Sequence, residues 1–289
     1  MQVSMLGKGL LALRAYGKEQ YVKTLLEILK NHIEYRKQIW LLAKSDLGKV
    51  YRGTLFGWLW AVINPMITLF VFWFAFSIGL RSGRPIGEYS YFLWLMIGMV
   101  PWFCIKGMFT GGAGSLRRYT FLITKIKYPI ETIPTFVCIG EVVVHFILML
   151  IVMAVFMLDG HMPDIYWLQF PFYLLLAFLF FSTWSLFSGL ISAFSRDFLN
   201  LVRAISSALM WLSGIFYEAE QIANEAVREF MMWNPITFVV HGYRNCFVYK
   251  EWFWESPGEL RNFTIVYVVM LVAAVWMYKR LRRDIPDVL

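Results

Sequence analysis

An all-α membrane protein with six transmembrane helices is the architecture expected of this 289-residue chain. Its residues are 59% hydrophobic and only 16% charged, with a mean hydropathy of +0.58. A soluble fold needs more polar surface than that. No charge falls between Leu55 and Leu80, and those 26 residues reach about 39 Å as a helix, beyond the roughly 30 Å hydrocarbon core. Lys and Arg also cluster on alternate sides of the apolar stretches, as a multi-span topology requires.

In chain order, residues 1–54 form an amino-terminal segment with ten Lys and Arg and no apolar run long enough for a signal peptide. The amino terminus is therefore expected in the cytoplasm. Within it Val22, Leu25, Leu26, Leu29, Ile33 and Trp40 recur at helical steps, with Lys23, Lys30, Arg36 and Lys37 elsewhere on the wheel. That pattern predicts a basic amphipathic helix lying in the interface, as a lipid anchor, a partner contact or both. The membrane domain, 55–289, is expected to hold spans at about 55–80, 89–109, 133–158, 165–195, 198–217 and 262–278. The fifth carries Arg203 near one end, where its side chain can reach the interface. With both termini inside, 20 of the 27 Lys and Arg fall in cytoplasmic segments, matching the positive-inside rule.

Two connections are unusual. The inner loop 111–132 contains "SLRRYTFLITKIKYP", whose cations can simply set topology. Leu116, Tyr119, Phe121, Leu122, Ile126 and Tyr128 make it too apolar for an idle loop, which points to packing on the membrane surface or on a partner protein. The outer region 218–245 holds "MMWNPITFVVHGY", too short to cross. Asn234-Pro235 breaks any helix there, so short re-entrant or interfacial helices are expected before the last span.

No catalytic constellation is visible. The four histidines have no metal-ligand spacing, and the phosphate-binding GxxxxGK[ST] pattern is missing, so any ATP is bound by another chain. Glu141 and His145 stand at i,i+4 in the third span, as a proton relay or as a mutually satisfied buried pair. Three cysteines, Cys104 and Cys138 at membrane depth and Cys246 near the outer face, imply no disulfide framework. Aromatic residues reach 19%. Trp58, Trp60, Tyr91, Trp167 and Trp276 fall at expected interfaces, whereas Phe70, Phe72, Trp73, Phe74 and Phe76 lie at span depth. Those deeper rings can serve core packing or a track for sugar faces.

Several stretches, in order, resemble the six-span permease subunits of bacterial ABC-2 polysaccharide exporters. They are "LLAKSDLGKVYRGTLFGWLWAVINPM" (Leu41–Met66), "GMVPWF" (Gly98–Phe103), "LITKIKYPIETIPT" (Leu122–Thr135), "SRDFLNLV" (Ser195–Val202) and "WNPITFVVHGYRNCFV" (Trp233–Val248). Within that family "SIGLRSGRPI", "YRNCFVYKEWFW" and the tail "YKRLRRDIPDVL" look most like the wall teichoic acid exporters. "SGIFY" at Ser213–Tyr217 departs from the proline-bearing sequence of many relatives.

The resemblance implies a multi-pass permease of the bacterial inner membrane, itself no enzyme and binding no cofactor or metal. ATP and Mg would sit on a separate ATPase, in a complex of two permeases and two ATPases. It implies that the inner loop is a coupling helix contacting the ATPase through Arg117, Tyr119, Phe121, Leu122, Lys125 and Tyr128, with Arg196 and Asp197 beside it. The substrate path would be a channel at the seam of the permease dimer, formed by first and fifth spans and passing Trp60, Phe72, Trp73, Phe76, Trp211, Phe216 and Tyr217, closed outside by a gate at Glu218, Asn234 and Pro235. The expected cargo is a lipid-diphosphate-linked polymer, teichoic acid first, O-antigen or capsule second. A small-molecule exporter and a membrane glycosyltransferase are the other classes. Besides the ATPase, the expected partners are membrane lipids, with no nucleic acid.

Overall fold

The computed structural model describes residues 20–50, 53–80 and 83–289. The first 19 residues of the amino-terminal segment and Arg81 of the first outer loop lie outside them. The described residues are predominantly helical. A helix over 20–34 (α1) turns at Tyr35 into α2 (Arg36–Val50), followed by α3 (Trp60–Trp73), α4 (Tyr91–Lys106) and two short inner helices, α5 (Ser115–Arg118) and α6 (Thr120–Thr124). Then come α7 (Thr132–Leu158), α8 (Phe170–Phe194), α9 (Arg196–Trp211), α10 (Glu225–Met232), α11 (Pro235–Arg244), α12 (Pro257–Leu281) and α13 (Ile285–Val288). The ends follow local chemistry. Ser90, Ser195 and Asn234 cap α4, α9 and α11 through their side-chain oxygens, and Pro235 and Pro257 open α11 and α12 where no amide is missed.

Among the described residues five helices are long and apolar enough to cross a membrane: Gly57–Gly79, Tyr91–Gly111, Thr132–Leu158, Ile165–Phe194 and Pro257–Leu281. The expected fifth span at 198–217 differs. Its helix stops at Trp211, and 16 residues reach only about 24 Å. Ser213–Tyr217 continues as irregular backbone, with Gly214 at φ +65° in the left-handed region that favours glycine.

The spans are not equivalent. In α4 and its extension 78% of the span is buried, against 11% for the first span and 22% for the last. Trp94, Leu95, Ile97, Met99, Val100 and Trp102 make α4 the hub of the main core, with α3, α7, α8 and α11 around it. The expected re-entrant element is α11, whose Val239, Val240 and Tyr243 are buried among these helices. Tyr91 and Trp167 are buried in this core rather than standing in an interfacial belt; Trp58 and Trp276 are exposed.

A second core lies at the inner ends. Ile28, Ile39 and Ala43 of α1 and α2 meet Leu116, Tyr119, Leu122 and Ile123 of the inner loop and Phe136 of α7. Glu131 accepts hydrogen bonds from Asn31 and from Tyr278, tying α1, α7 and α12 together. Of the predicted apolar stripe, Leu25 packs against this core, while Val22, Leu26, Leu29, Ile33 and Trp40 point away from it and are exposed, the orientation an interfacial helix needs.

Candidate coupling surface and translocation path

The inner loop folds as two short helices, and its basic and aromatic residues divide by face. Arg117 donates from Nη2 to the Ala193 carbonyl at 2.9 Å and from Nε to the Ser192 carbonyl. It thereby caps the last turn of α8, whose carbonyls have no intrahelical donors. Tyr119 donates to Asp46 of α2, and Arg118 stands 3.6 Å from the same carboxylate. Burial, with the Asp46 hydrogen bond, pushes the Tyr119 phenol well above its ordinary pKa. Leu122 and Tyr128 are buried, Tyr128 edge-on to Tyr35 at 5.5 Å.

Of the eight predicted coupling residues, Arg117, Tyr119, Leu122 and Tyr128 therefore hold the loop to the bundle. Phe121, Lys125, Arg196 and Asp197 face outward. Phe121 is 48% exposed and Ile126 59%, surrounded by the exposed Arg118, Lys125 and Lys127. This apolar knob with a cationic rim can enter an apolar groove bordered by acidic groups.

At the contact of α3 with the end of α9, four of the seven predicted path residues meet. The Phe216 ring lies 4.6 Å from Phe72, 5.3 Å from Phe76 and 4.7 Å from Trp211. Trp73 points to the other side of α3, edge-on to Phe92 at 5.9 Å. Tyr217 donates to the Trp211 carbonyl at 2.5 Å and stays at the rim. Trp60 stands apart near the start of α3, its ring 5.6 Å from Phe56.

The predicted gate residues form one structure with a residue that sequence reasoning missed. Asn234 donates to the Leu212 carbonyl and to Ser213 Oγ, so the cap of α11 also fastens the end of α9. Pro235 sets the first turn of α11. Glu218 accepts from Tyr249, which in turn accepts from Trp94 Nε1 at 2.9 Å.

Beneath them lies Arg244, counted from sequence as an outer-loop charge but only 3% exposed. It donates to the carbonyls of Gly214 at 2.7 Å and Ile215 at 2.6 Å, and its guanidinium lies 3.4 Å over the Trp94 ring. Gly98 leaves it room, since a Cβ there would sit 2.7 Å from Nη2. A cation inside an otherwise apolar run was the available signal.

A cavity of about 270 Å³ opens beside this pin, bordered by Glu218, Glu220, His241 and Glu259. Glu259 approaches His241 Nδ1 at 2.9 Å and Glu220 approaches Nε2 at 3.7 Å. Burial works against charge on the ring. The hydrogen bond and charge of Glu259, with Glu220, outweigh it and hold the His241 pKa above its ordinary value. Among the described residues these three are the group closest to a metal-ligand set. Their carboxylates, however, face opposite ring nitrogens, which suits an imidazolium clasp rather than one ion sharing a single histidine nitrogen.

His145 bonds Tyr243 of α11 at 2.8 Å. The expected Glu141–His145 pair is not formed, because the histidine is drawn to α11 and the Glu141 carboxylate lies against Gly107 of α4.

The O-antigen export system permease protein RfbA of Myxococcus xanthus is 24% identical over 265 residues, covering 91% of this chain and 99% of the relative. Two proteins of the same name from Klebsiella pneumoniae are 23% and 22% identical over 254 residues, covering 86% of this chain and 93% of each. The family model for ABC-2 type transporters matches residues 37–248, from α2 through the inner loop, the aromatic seam and the whole of α11. A helical bundle with several apolar spans, matched to that model over most of its length, makes this chain a multi-pass membrane protein of the ABC-2 type transporter family.

Proposed function

We propose that this chain is the membrane subunit of an ATP-driven exporter that moves a lipid-linked cell-surface polysaccharide outward across the inner membrane. The observation that carries it is the outward knob of Phe121 and Ile126 on a loop bolted to the bundle, a feature that makes sense as the docking point of a separate ATPase. The relatives' names support an O-antigen-type glycan as cargo ahead of the wall teichoic acid expected first from sequence. Teichoic acid stays as the second reading, on the resemblance of its loop and tail motifs.

The geometry suggests how force travels. Arg117 joins the knob to the end of α8, next to the Ser195 cap from which α9 starts. Movement of the knob by a closing ATPase would swing α9 as a lever. Its far end carries Trp211 of the aromatic seam and, through Leu212 and Asn234, pulls on α11. A rigid element biased by a partner's ligand-driven closure is the general form of such switches.

The outer sides of α3 and α9 leave Phe70, Val71, Phe74, Leu201 and Ile205 exposed. That open apolar surface supports a second copy of the chain across the seam, in a complex of two permeases with two ATPases that carry the ATP and Mg.

The test is co-expression with the ATPase encoded alongside, followed by hydrolysis assays with and without an undecaprenyl-diphosphate-linked glycan. A stable complex whose hydrolysis responds to the glycan, and intracellular glycan accumulation on depletion of this chain, is the expected result. A complex that ignores glycans and responds to small amphiphiles would replace this reading with a small-molecule exporter.

A further inference from the structure

A second cavity, of about 320 Å³, lies between α3, α4 and α7, and its mostly apolar walls carry a few polar groups. Lys106 of α4 and Glu141 of α7 both line it. Glu141 is half-buried within a span, where an ionisable group is costly and marks a pathway or ligand site, while Lys106 is exposed at the last turn of α4. Among the described residues Lys106 has no acidic partner within 4 Å and Glu141 accepts no hydrogen bond, so neither is consumed in holding the bundle together.

The backbone around the cavity is irregular on two sides. Pro65 in α3 supplies no amide, which leaves the Ala61 carbonyl without its helical donor, and both residues border the cavity. Just after Lys106, α4 passes into a π-helical turn, Gly107–Gly111, a form found mostly at functional sites. Irregular backbone at membrane depth is tolerated where it lines a cavity or is buried in protein. A Cβ at Gly107 would fall 2.2 Å from Glu141 Oε2, so the missing side chain is what lets the carboxylate lie flat beside the Lys106 turn. Trp60 and Asn64 of α3 complete the wall.

We propose that this cavity binds the glycosyl-phosphate head of the lipid-linked glycan. The inference rests on the export reading above. Lys106 takes the phosphate, as an ammonium does through charge-assisted hydrogen bonds. Glu141, an acceptor when ionised, and Asn64, both donor and acceptor, take sugar hydroxyls, while the Trp60 ring offers a flat apolar face to the sugar's C–H groups. A cavity of this size is at the lower end for small-molecule sites and suits one sugar with its phosphate. With the amino terminus inside, α3 starts and α4 ends on the cytoplasmic side. Trp60 and Lys106 then lie near the inner leaflet's headgroups, where a glycan assembled in the cytoplasm presents its head.

The test uses the permease with its ATPase in nanodiscs. Native mass spectrometry follows binding of undecaprenyl-diphosphate-N-acetylglucosamine, bare undecaprenyl diphosphate and free N-acetylglucosamine 1-phosphate. Lys106→Gln is expected to weaken both lipids roughly tenfold or more, with Lys106→Arg restoring most of the loss. Glu141→Gln is expected to weaken the glycosylated lipid by about tenfold and leave the bare one unchanged. Free sugar phosphate bound with the same Lys106 dependence identifies the head alone as ligand; lipid-only binding with that dependence adds the lipid chain. A wild-type complex that binds the glycosylated lipid while both variants bind it equally well overturns the cavity assignment alone. A wild-type complex that binds none of the three overturns the export reading and this inference together.

Discussion

Replacing Phe121 by Glu tests the coupling surface at a position where the fold itself has little at stake. Phe121 is 48% exposed, so about half of its apolar surface remains to be buried by a partner. Full burial of such a side chain stabilises by about 1.5–3 kcal/mol, so the outstanding half contributes about 0.7–1.5 kcal/mol at each ATPase contact. A carboxylate at the same point loses that contribution and adds the cost of taking a charge into an apolar groove. Each 1.4 kcal/mol is tenfold in affinity, so F121E is expected to bind the ATPase at least tenfold more weakly.

Ile126→Glu should behave alike, since Ile126 is 59% exposed on the same knob. The assay is titration of purified ATPase onto permease in nanodiscs, with thermal unfolding of the permease followed in parallel. Tyr128 is a poor site for the same experiment, because it is buried against Tyr35 and a charge there would unfold the loop. Wild-type affinity in both F121E and I126E, with normal coupling of hydrolysis to export, would refute the docking surface.

Four further outcomes follow from the geometry. Arg117→Gln keeps the outward knob but removes the bolt to α8; ATPase binding should persist while glycan exported per ATP falls tenfold or more, read in proteoliposomes, and full coupling would sink the lever. Arg244→Met leaves the Gly214 and Ile215 carbonyls without donors and should destabilise by about 3 kcal/mol or more, seen as a lower Tm in detergent. The His241 pKa is raised by folding, so its clasp is strongest below the unfolded value of about 6.5 and is lost as pH rises through the higher folded pKa. The protection factor of the amides at Ala219–Gln221, their intrinsic base-catalysed exchange rate divided by the observed rate, should therefore fall with pH across that window, and Glu259→Gln should abolish that fall. Topology is tested with Ile126→Cys, expected to react only from the cytoplasmic face; Leu116 is fully buried and would not report.

Much of the fold could be read in advance because transmembrane order is written in composition. Uncharged runs longer than the bilayer core, with cations at alternate ends, leave few arrangements open. The fifth span misled because its apolar run continues past the helix. Hydropathy registers Ser213–Tyr217 as more span, whereas Gly214 turns the backbone and Arg244 collects its carbonyls from a segment 29 and 30 residues away. That the inner loop packs on something was legible in its apolar content. The expected surfaces were the membrane or a partner, whereas Leu116, Tyr119 and Leu122 pack on α1, α2 and α7 of the same chain. Which of its residues look inward was not legible, since two helices of four and five residues carry too little periodicity to define a face.

By itself the sequence determined the class of solvent this chain folds in, the positions of most spans and the absence of a phosphate loop from its own residues. These depend on local runs of side chains and their transfer free energies, which need no knowledge of neighbours. Only the tertiary structure decided that α4 is the buried hub, that Phe72 and Phe76 rather than Trp73 meet Trp211 and Phe216, and that Arg244 is a pin and not a surface charge. In a chain apolar on nearly every helical face, hydrophobicity cannot say which face meets another helix and which meets lipid. That choice is made by close packing and by the few polar groups that must find partners far along the chain.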